Sequence, residues 1–297
     1  MSEMTDPRIR DFIEMKGEPD TQNIQLIGFP SDEGVKRNGG RAGASKAPPL
    51  ILQKLSNLTP HPEYFDKHTE LLKQLSKPEL LTCSGDLEED QKLLGKIVAE
   101  CMNQNSIPVI IGGGHETSYG HFLGYAGAGQ PVSIVNIDAH TDVRELKEGK
   151  AHSGSPFRQA LEHSSKTCSA YHVSGLNPAS VAKSHLEYVT RHGSAQFEHE
   201  TSLQSVLAIL EKCKYSSVLA TMDMDLVHQA SAPGVSAPNS SGISAELWLE
   251  IAFELGRHPA VTSFDLCEVN PEFDRDHQTI KLAALTIWYF LLGVALR

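Results

Sequence analysis

A chain of 297 residues, 40% of them apolar, is long enough to bury a sizeable core as one large α/β domain or two smaller ones. Its formal net charge of −11 is spread along the sequence and no Lys/Arg cluster exceeds three residues, which argues against nucleic acid and anionic membrane surfaces as partners. An anionic small molecule is not excluded, because a few local arginines suffice to make one cleft positive.

The first residues, MSEMTDPRIRDFIEMKGEPD, lack the apolar stretch of a secretory leader and are too acidic for a transit peptide, so a cytoplasmic protein is expected. Residues 1–22 read as an N-terminal extension of a single domain spanning 1–297. A strand is predicted over NIQLIGF (23–29), followed by a polar connection containing Lys36, Arg37 and Arg41, and then a helix over 48–57. The next helix, 87–103, is opened by Asp86 as cap with acidic residues in its first turn, where the helix dipole favours them. IPVIIGGG (107–114) is a strand ending in glycines, with a helix after it over 116–124. VSIVNID (132–138) and CSAYHVSGL (168–176) are strands, 202–213 is a helix, and SSVLATMDMD (216–225) is a strand. Ser244 caps a helix over 244–256, AVTSFDLCEV (260–269) is the last strand, and a helix runs over 277–296.

Within that last helix, LAALTIWYFLLGVAL (282–296) is short for the roughly 20 residues that a hydrocarbon core demands, and it reads as a buried helix. The five cysteines are odd in number and show no CxxC spacing, as expected of reduced thiols. Strands apolar on both faces, alternating with helices, predict an open, doubly wound, mainly parallel α/β sheet.

Ligands of such sheets bind outside the carboxyl ends of the strands, and there the residues able to hold a metal collect. NIDAHTD (136–142) places Asp138, His140 and Asp142 at alternate positions, facing one way if the chain stays extended. Asp223 and Asp225 stand likewise in TMDMD, and His115 follows the three glycines. Two imidazoles and four carboxylates thus sit at three strand ends. Burying those charges unpaired is prohibitive, whereas two divalent cations balance them. The donor set suits Mn(II), with Mg(II), Fe(II), Co(II) and Zn(II) also admitted. GGGHETS lacks both the Lys-Ser/Thr of a phosphate loop and the GxGxxG spacing of a dinucleotide fold.

GGGHE (112–116), DAHTD (138–142) and DMDLVHQASAPGVSAP (223–238) resemble the motifs of the ureohydrolase family of arginases and agmatinases, over residues 24–296. The resemblance implies a three-layer α/β/α sandwich, two Mn2+ per subunit and a homo-oligomer, either trimer or hexamer. It implies that His115 and Asp142 bind one ion and His140 and Asp225 the other, with Asp138 and Asp223 bridging. The implied reaction is attack by a metal-bridging hydroxide on a guanidinium or formimidoyl carbon, with Asp142 near the nucleophile. His152 in AHSGSPF resembles the family's proton-shuttle histidine, although Ser153 interrupts the usual His-Gly-x-Pro, and Glu268 in CEVNP matches the glutamate that accepts substrate N–H groups.

Two departures from arginase bear on the substrate. His228-Gln229 replaces the usual Asp-Pro, and Arg144, two residues beyond DAHTD, is a poor neighbour for a cationic tail and a good fork for a carboxylate. Residues 28–44, with Arg37 and Arg41, resemble the corresponding segment of the formimidoylglutamase branch. The expected substrate is therefore N-formimidoyl-L-glutamate, an anion with two carboxylates, split into L-glutamate and formamide in histidine breakdown, with Arg144, Arg37 and Arg41 as its basic contacts. The alternatives are a urea-releasing enzyme acting on arginine, agmatine or a guanidino acid, and a non-catalytic binding or regulatory subunit. Deacetylation on an arginase-like fold is disfavoured, because those sites bind one zinc with fewer carboxylates.

Overall fold

Short β-branched runs alternate with helices through residues 6–13 and 24–297, the residues described by the computed structural model. In chain order the first elements are α1 (Ile9–Ile13), β1 (Ile24–Phe29), α2 (Glu33–Asn38), α3 (Ala47–Ser56), α4 (Phe65–Leu72) and β2 (Glu79–Leu80). They are followed by α5 (Leu87–Asn103), β3 (Ile107–Gly112), α6 (Thr117–Ala128), β4 (Val132–Ile137), α7 (Pro156–Glu162) and β5 (Cys168–Leu176). The chain continues through α8 (Lys183–His192), β6 (Gly193–Phe197), α9 (Leu203–Cys213), β7 (Ser217–Asp223), α10 (Ala245–Arg257), β8 (Val261–Cys267) and α11 (Gln278–Ala295).

The strands form one sheet, every pairing parallel, in the order β2-β1-β3-β8-β7-β4-β5-β6. Parallel strands need helical crossovers that cover both faces, and the alternation along each strand meets that demand. Val109 and Ile111 of β3 enter one core with Val135 and Ile137 of β4, whereas Ile110 and Ile134 enter the other. Helices α5, α6, α7 and α8 close the second face, and α1, α3, α4, α9, α10 and α11 close the first. Each fully buried Leu, Ile or Phe contributes roughly 1.5–3 kcal/mol, so the two cores carry the stability of the sheet.

The pairing order has a functional result. Late strands β7 and β8 insert between β3 and β4, so four central strands end side by side, with Ile111 level with Leu266, Met222 with Leu266 and Ile137 with Met222.

The six strands expected from apolar runs all form. The two edge strands were not legible: β2 is two exposed residues, and β6, GSAQF, is only half-buried and lacks an apolar run. Helix α2, which occupies part of the expected connection, and helices α4, α7 and α8 were also not anticipated; all are ten residues or shorter and none has a side-chain cap. Within the expected extension 1–22, α1 packs into the core through Ile9 and Phe12 rather than standing apart, while residues 1–5 and 14–22, and Asn23 of the first predicted strand, lie outside the described residues. All five cysteines are free thiols.

Helix α11 is long and apolar enough to cross a membrane, yet 67% of it is buried against α10, α3 and α4. Its close contact with α10 rests on two glycines. A Cβ on Gly256 would stand 2.1 Å from the Phe290 carbonyl oxygen, and one on Gly293 would stand 2.2 Å from that of Phe253. Gly293→Ala is therefore expected to push the two backbones apart and to destabilise the fold by about 1–3 kcal/mol, as overpacking does. A urea midpoint equal to that of the parent protein would contradict this reading of the helix contact.

Candidate metal centre

The carboxyl ends of β3, β4, β7 and β8 each release a loop into the same small cleft. After β3, the Gly113 N–H donates to the Phe29 carbonyl at 3.0 Å and the Gly114 N–H to that of Ser31 at 2.9 Å. A Cβ at Gly113 would fall 1.9 Å from the Ser31 carbonyl oxygen, so only glycine lets these loops touch and delivers His115 to the cleft.

The alternation expected for Asp138, His140 and Asp142 does not hold, because β4 ends at Ile137. Convergence comes from a different device. The Asp138 Oδ1 accepts the His140 N–H at 2.7 Å, folding the chain into an Asx turn. The same turn recurs after β7, where the Asp223 Oδ1 accepts the Asp225 N–H at 2.9 Å ahead of a 3-10 turn over Met224–Leu226. Asp142 and Glu268 then adopt left-handed backbone, with φ of 45° and 68°, sparsely populated for side chains of this kind. Glu268 is held there by its N–H to the Gly113 carbonyl, 2.8 Å, and by the His115 N–H, which donates to its Oε1 at 2.8 Å.

Among the described residues three donor groups result, and two of them hold the predicted aspartates. The His115 Nδ1 lies 3.2 Å from Asp138 Oδ2, 3.0 Å from Asp142 Oδ2 and 3.1 Å from Asp223 Oδ2. The His140 Nδ1 lies 3.1 Å from Asp225 Oδ2 and 3.6 Å from Asp138 Oδ1. Asp138 thus serves both groups, one oxygen to each, and within each group the donor atoms all lie within 4.8 Å of one another. The His115 Nδ1 is buried and surrounded by oxygens at hydrogen-bonding distance, yet it is aligned with none of them as a hydrogen bond. Asp225 Oδ1 and Glu268 Oε2 are likewise buried without partners. Buried polar atoms are normally paired, and these fit divalent cations held among carboxylates and imidazoles.

The electrostatics agree. Burial opposes a charge on His115, but the Asp138, Asp142 and Asp223 carboxylates outweigh it and hold its pKa well above the usual value. Asp225 raises that of His140 against burial. Burial, with Asp225 and Asp138 alongside, pushes Asp223 well above the carboxylate range. Without cations the cluster must retain protons.

Of the basic residues predicted to contact substrate, only Arg144 lines the cleft, where its Nη1 donates to the Asn38 Oδ1 at 3.3 Å. Arg37 is turned away and neutralised by Glu33 at 3.2 Å and Glu88 at 2.7 Å, docking α2 on α5. Arg41 is also absent from the cleft. Its Nε donates to the Ser236 carbonyl at 3.1 Å, its Nη2 to that of Val235 at 2.5 Å, and its guanidinium stacks 4.0 Å from the Phe273 ring centroid. Lys36 pairs with Asp32 at 2.8 Å.

His152 does not reach the cleft either. Its Nε2 bonds the Glu145 carbonyl at 2.9 Å and its Nδ1 accepts the Gly154 N–H at 3.2 Å, so both ring nitrogens serve their own loop. The extra residue, Ser153, lines the cleft in its place. Ser153 and Asn38, joined at 3.2 Å, were not anticipated, and neither was Ser236. Nor was Glu116 of GGGHE, whose buried Oε1 accepts the Gly34 N–H at 2.8 Å and fastens α2 to the loop after β3; burial, reinforced by Glu268, pushes it up to about 8.

Residues 22–293 match the family model described as the arginase family. The chain is 37% identical over 272 residues to a formimidoylglutamase of Geobacillus sp. (strain WCH70), covering 87% of this chain and 80% of that protein. It is 33% identical over 282 residues to the formimidoylglutamase of Lysinibacillus sphaericus, covering 91% and 84%. The crystal structure of Trypanosoma cruzi formiminoglutamase with Mn2+2 matches with a TM-score of 0.89 at 32% identity, covering 98% of this chain and 99% of that one.

A pH prediction follows from the two imidazoles. Because carboxylates raise both histidine pKa values in the metal-free protein, a proton must leave each ring before it can donate to a cation. Apparent affinity for a divalent cation is thus expected to rise with pH, with the imidazoles releasing up to one proton for each ion bound. Calorimetric titration in buffers of different ionisation enthalpy measures this release, and proton-neutral binding would refute it.

Proposed function

The chain belongs to the arginase family, and on that premise we propose that it is a hydrolase that cleaves N-formimidoyl-L-glutamate to L-glutamate and formamide with two manganese ions per subunit. The observation that carries the substrate is Arg144. Among the described residues its guanidinium is paired with no carboxylate, and it faces the cleft that also exposes the aspartate cluster. An anionic tail gains a charge-assisted fork there, whereas a cationic alkylguanidine would be repelled. Relatives at 32–37% identity bearing the name formimidoylglutamase support the same reading.

In this reading His115 and Asp142 would hold one ion and His140 and Asp225 the other, with Asp138 and Asp223 shared. When bound, the ions supply a water acidified toward neutral pH and a positive field for the charge that develops in the transition state. The chain's own residues do the rest. Asp142, beside His115 and open to the cleft, is placed to take the nucleophile's proton. The unpartnered Glu268 Oε2 accepts N–H groups of the formimidoyl end, and the strained backbone at this residue fixes its direction. In the metal-free protein burial pushes the Glu268 carboxyl up to about 7, against a Ser236 hydrogen bond that lowers it. Asn38 and Ser153 brace Arg144 and the cleft wall. Arg37, Arg41 and His152 take no part.

An assay for formamide and urea across formimidoylglutamate, arginine, agmatine and a guanidino acid, with and without Mn(II), tests the proposal. Manganese-dependent formamide from formimidoylglutamate alone is expected, and urea from any of the others would replace it with the urea-releasing alternative. Arg144→Ala is expected to lower kcat/KM by about 10- to 100-fold, mainly through KM, as loss of a charge-assisted hydrogen bond implies. An unchanged KM would remove Arg144 as the carboxylate contact. Asp223→Ala should abolish turnover and lower metal content together, and activity at normal metal loading would show that Asp223 has another role.

A further inference from the structure

The opposite edge of the His115 ring leads into a buried polar chain that none of the chemistry above uses. Its Nε2 meets the Thr221 Oγ1 at 2.9 Å. Thr221, on β7, is paired in register with Asp265 on β8, and its hydroxyl donates to the Asp265 Oδ1 at 2.5 Å. Two residues of α6 converge on the same carboxylate: the Ser118 hydroxyl donates at 3.0 Å, and the His121 Nδ1 bonds the Oδ2 at 2.6 Å. Thr221, Asp265, Ser118 and His121 are all essentially without solvent exposure.

Hydrogen counting sets the direction of this chain. Asp265 is surrounded by donors, so it acts as an acceptor-only carboxylate. With the Thr221 hydroxyl proton directed to Asp265 at 2.5 Å, the Thr221 oxygen is left as the acceptor for an Nε2–H of His115, and the Ser118 hydroxyl stands 3.1 Å from the same oxygen. That leaves the lone pair of the neutral ring on Nδ1, the atom enclosed by the Asp138, Asp142 and Asp223 oxygens. His140 has no comparable relay among the described residues; its Nδ1 meets only Asp225 and Asp138, and a quarter of its side chain is exposed. A carboxylate buried between two central strands and a helix is costly unless something is gained by it. The gain here is a ring held in one orientation and one tautomer.

We propose that Asp265 is a positioning residue that acts through Thr221 to fix the Nδ1 of His115 as a metal donor, making one of the two ion positions tighter than its own ligands would. This inference rests on the two-manganese reading given above.

Its test is a titration of Mn(II) into the full-length protein at fixed pH, following free ion by electron paramagnetic resonance and confirming affinities by chelator competition. Thr221→Val preserves shape and removes the hydroxyl. It is expected to weaken one of the two ions about 10- to 100-fold, the usual effect of losing an outer hydrogen-bond partner, and to leave the other unchanged. Thr221→Ser should restore the parent affinities. Asp265→Asn keeps the shape of the carboxylate without its charge and should weaken the same single ion, which provides an independent arm if the valine variant does not fold. Parent-like affinity for both ions in either variant, even with a lowered Tm of the metal-free protein, would reduce the chain to a structural role and overturn the inference. Failure of the parent protein itself to bind two ions would instead overturn the reading beneath it.

Discussion

The structure is organised around one electrostatic liability. Asp138, Asp142, Asp223 and Asp225 are gathered with two histidines where four parallel strands end, in surroundings that exclude water from most of them. No lysine or arginine pairs with these carboxylates among the described residues, and the nearest guanidinium in the cleft, Arg144, is bonded to Asn38 instead. The strand order, which interposes the two latest strands between two earlier ones, makes this gathering possible, and divalent cations make it tolerable.

Much of this was legible in the amino-acid order, and the limits are instructive. The central strands could be read because helices cover both of their faces and leave long apolar runs. The edges could not, because β2 and β6 have too little to bury. The six metal-site residues expected from their chemistry are those the fold brings together, but the geometric argument for them was mistaken. Extended alternation would also have converged them; the chain uses turns closed by the aspartates' own side chains.

Charge was the weaker guide. Arg37 sits near the end of α2 and is held by Glu33, four residues earlier, and by Glu88, which only the fold brings near. Arg41 is consumed by backbone carbonyls. Composition cannot distinguish an arginine that waits for a ligand from one that braces a loop, because the difference lies in partners remote in sequence. His152 failed for a more local reason. Ser153, beside it, lines the cleft, and the imidazole has two backbone partners of its own.

The paired turns after β4 and β7 give two of the aspartates a double duty. Asp138 and Asp223 each spend one oxygen shaping the loop that carries their neighbouring donor and present the other toward the His115 ring. Scaffold and cargo are therefore written in the same side chain. An amide in that place keeps the architecture while dimming the charge, and a methyl group erases both, so a loss of function at these positions has two physically separate origins.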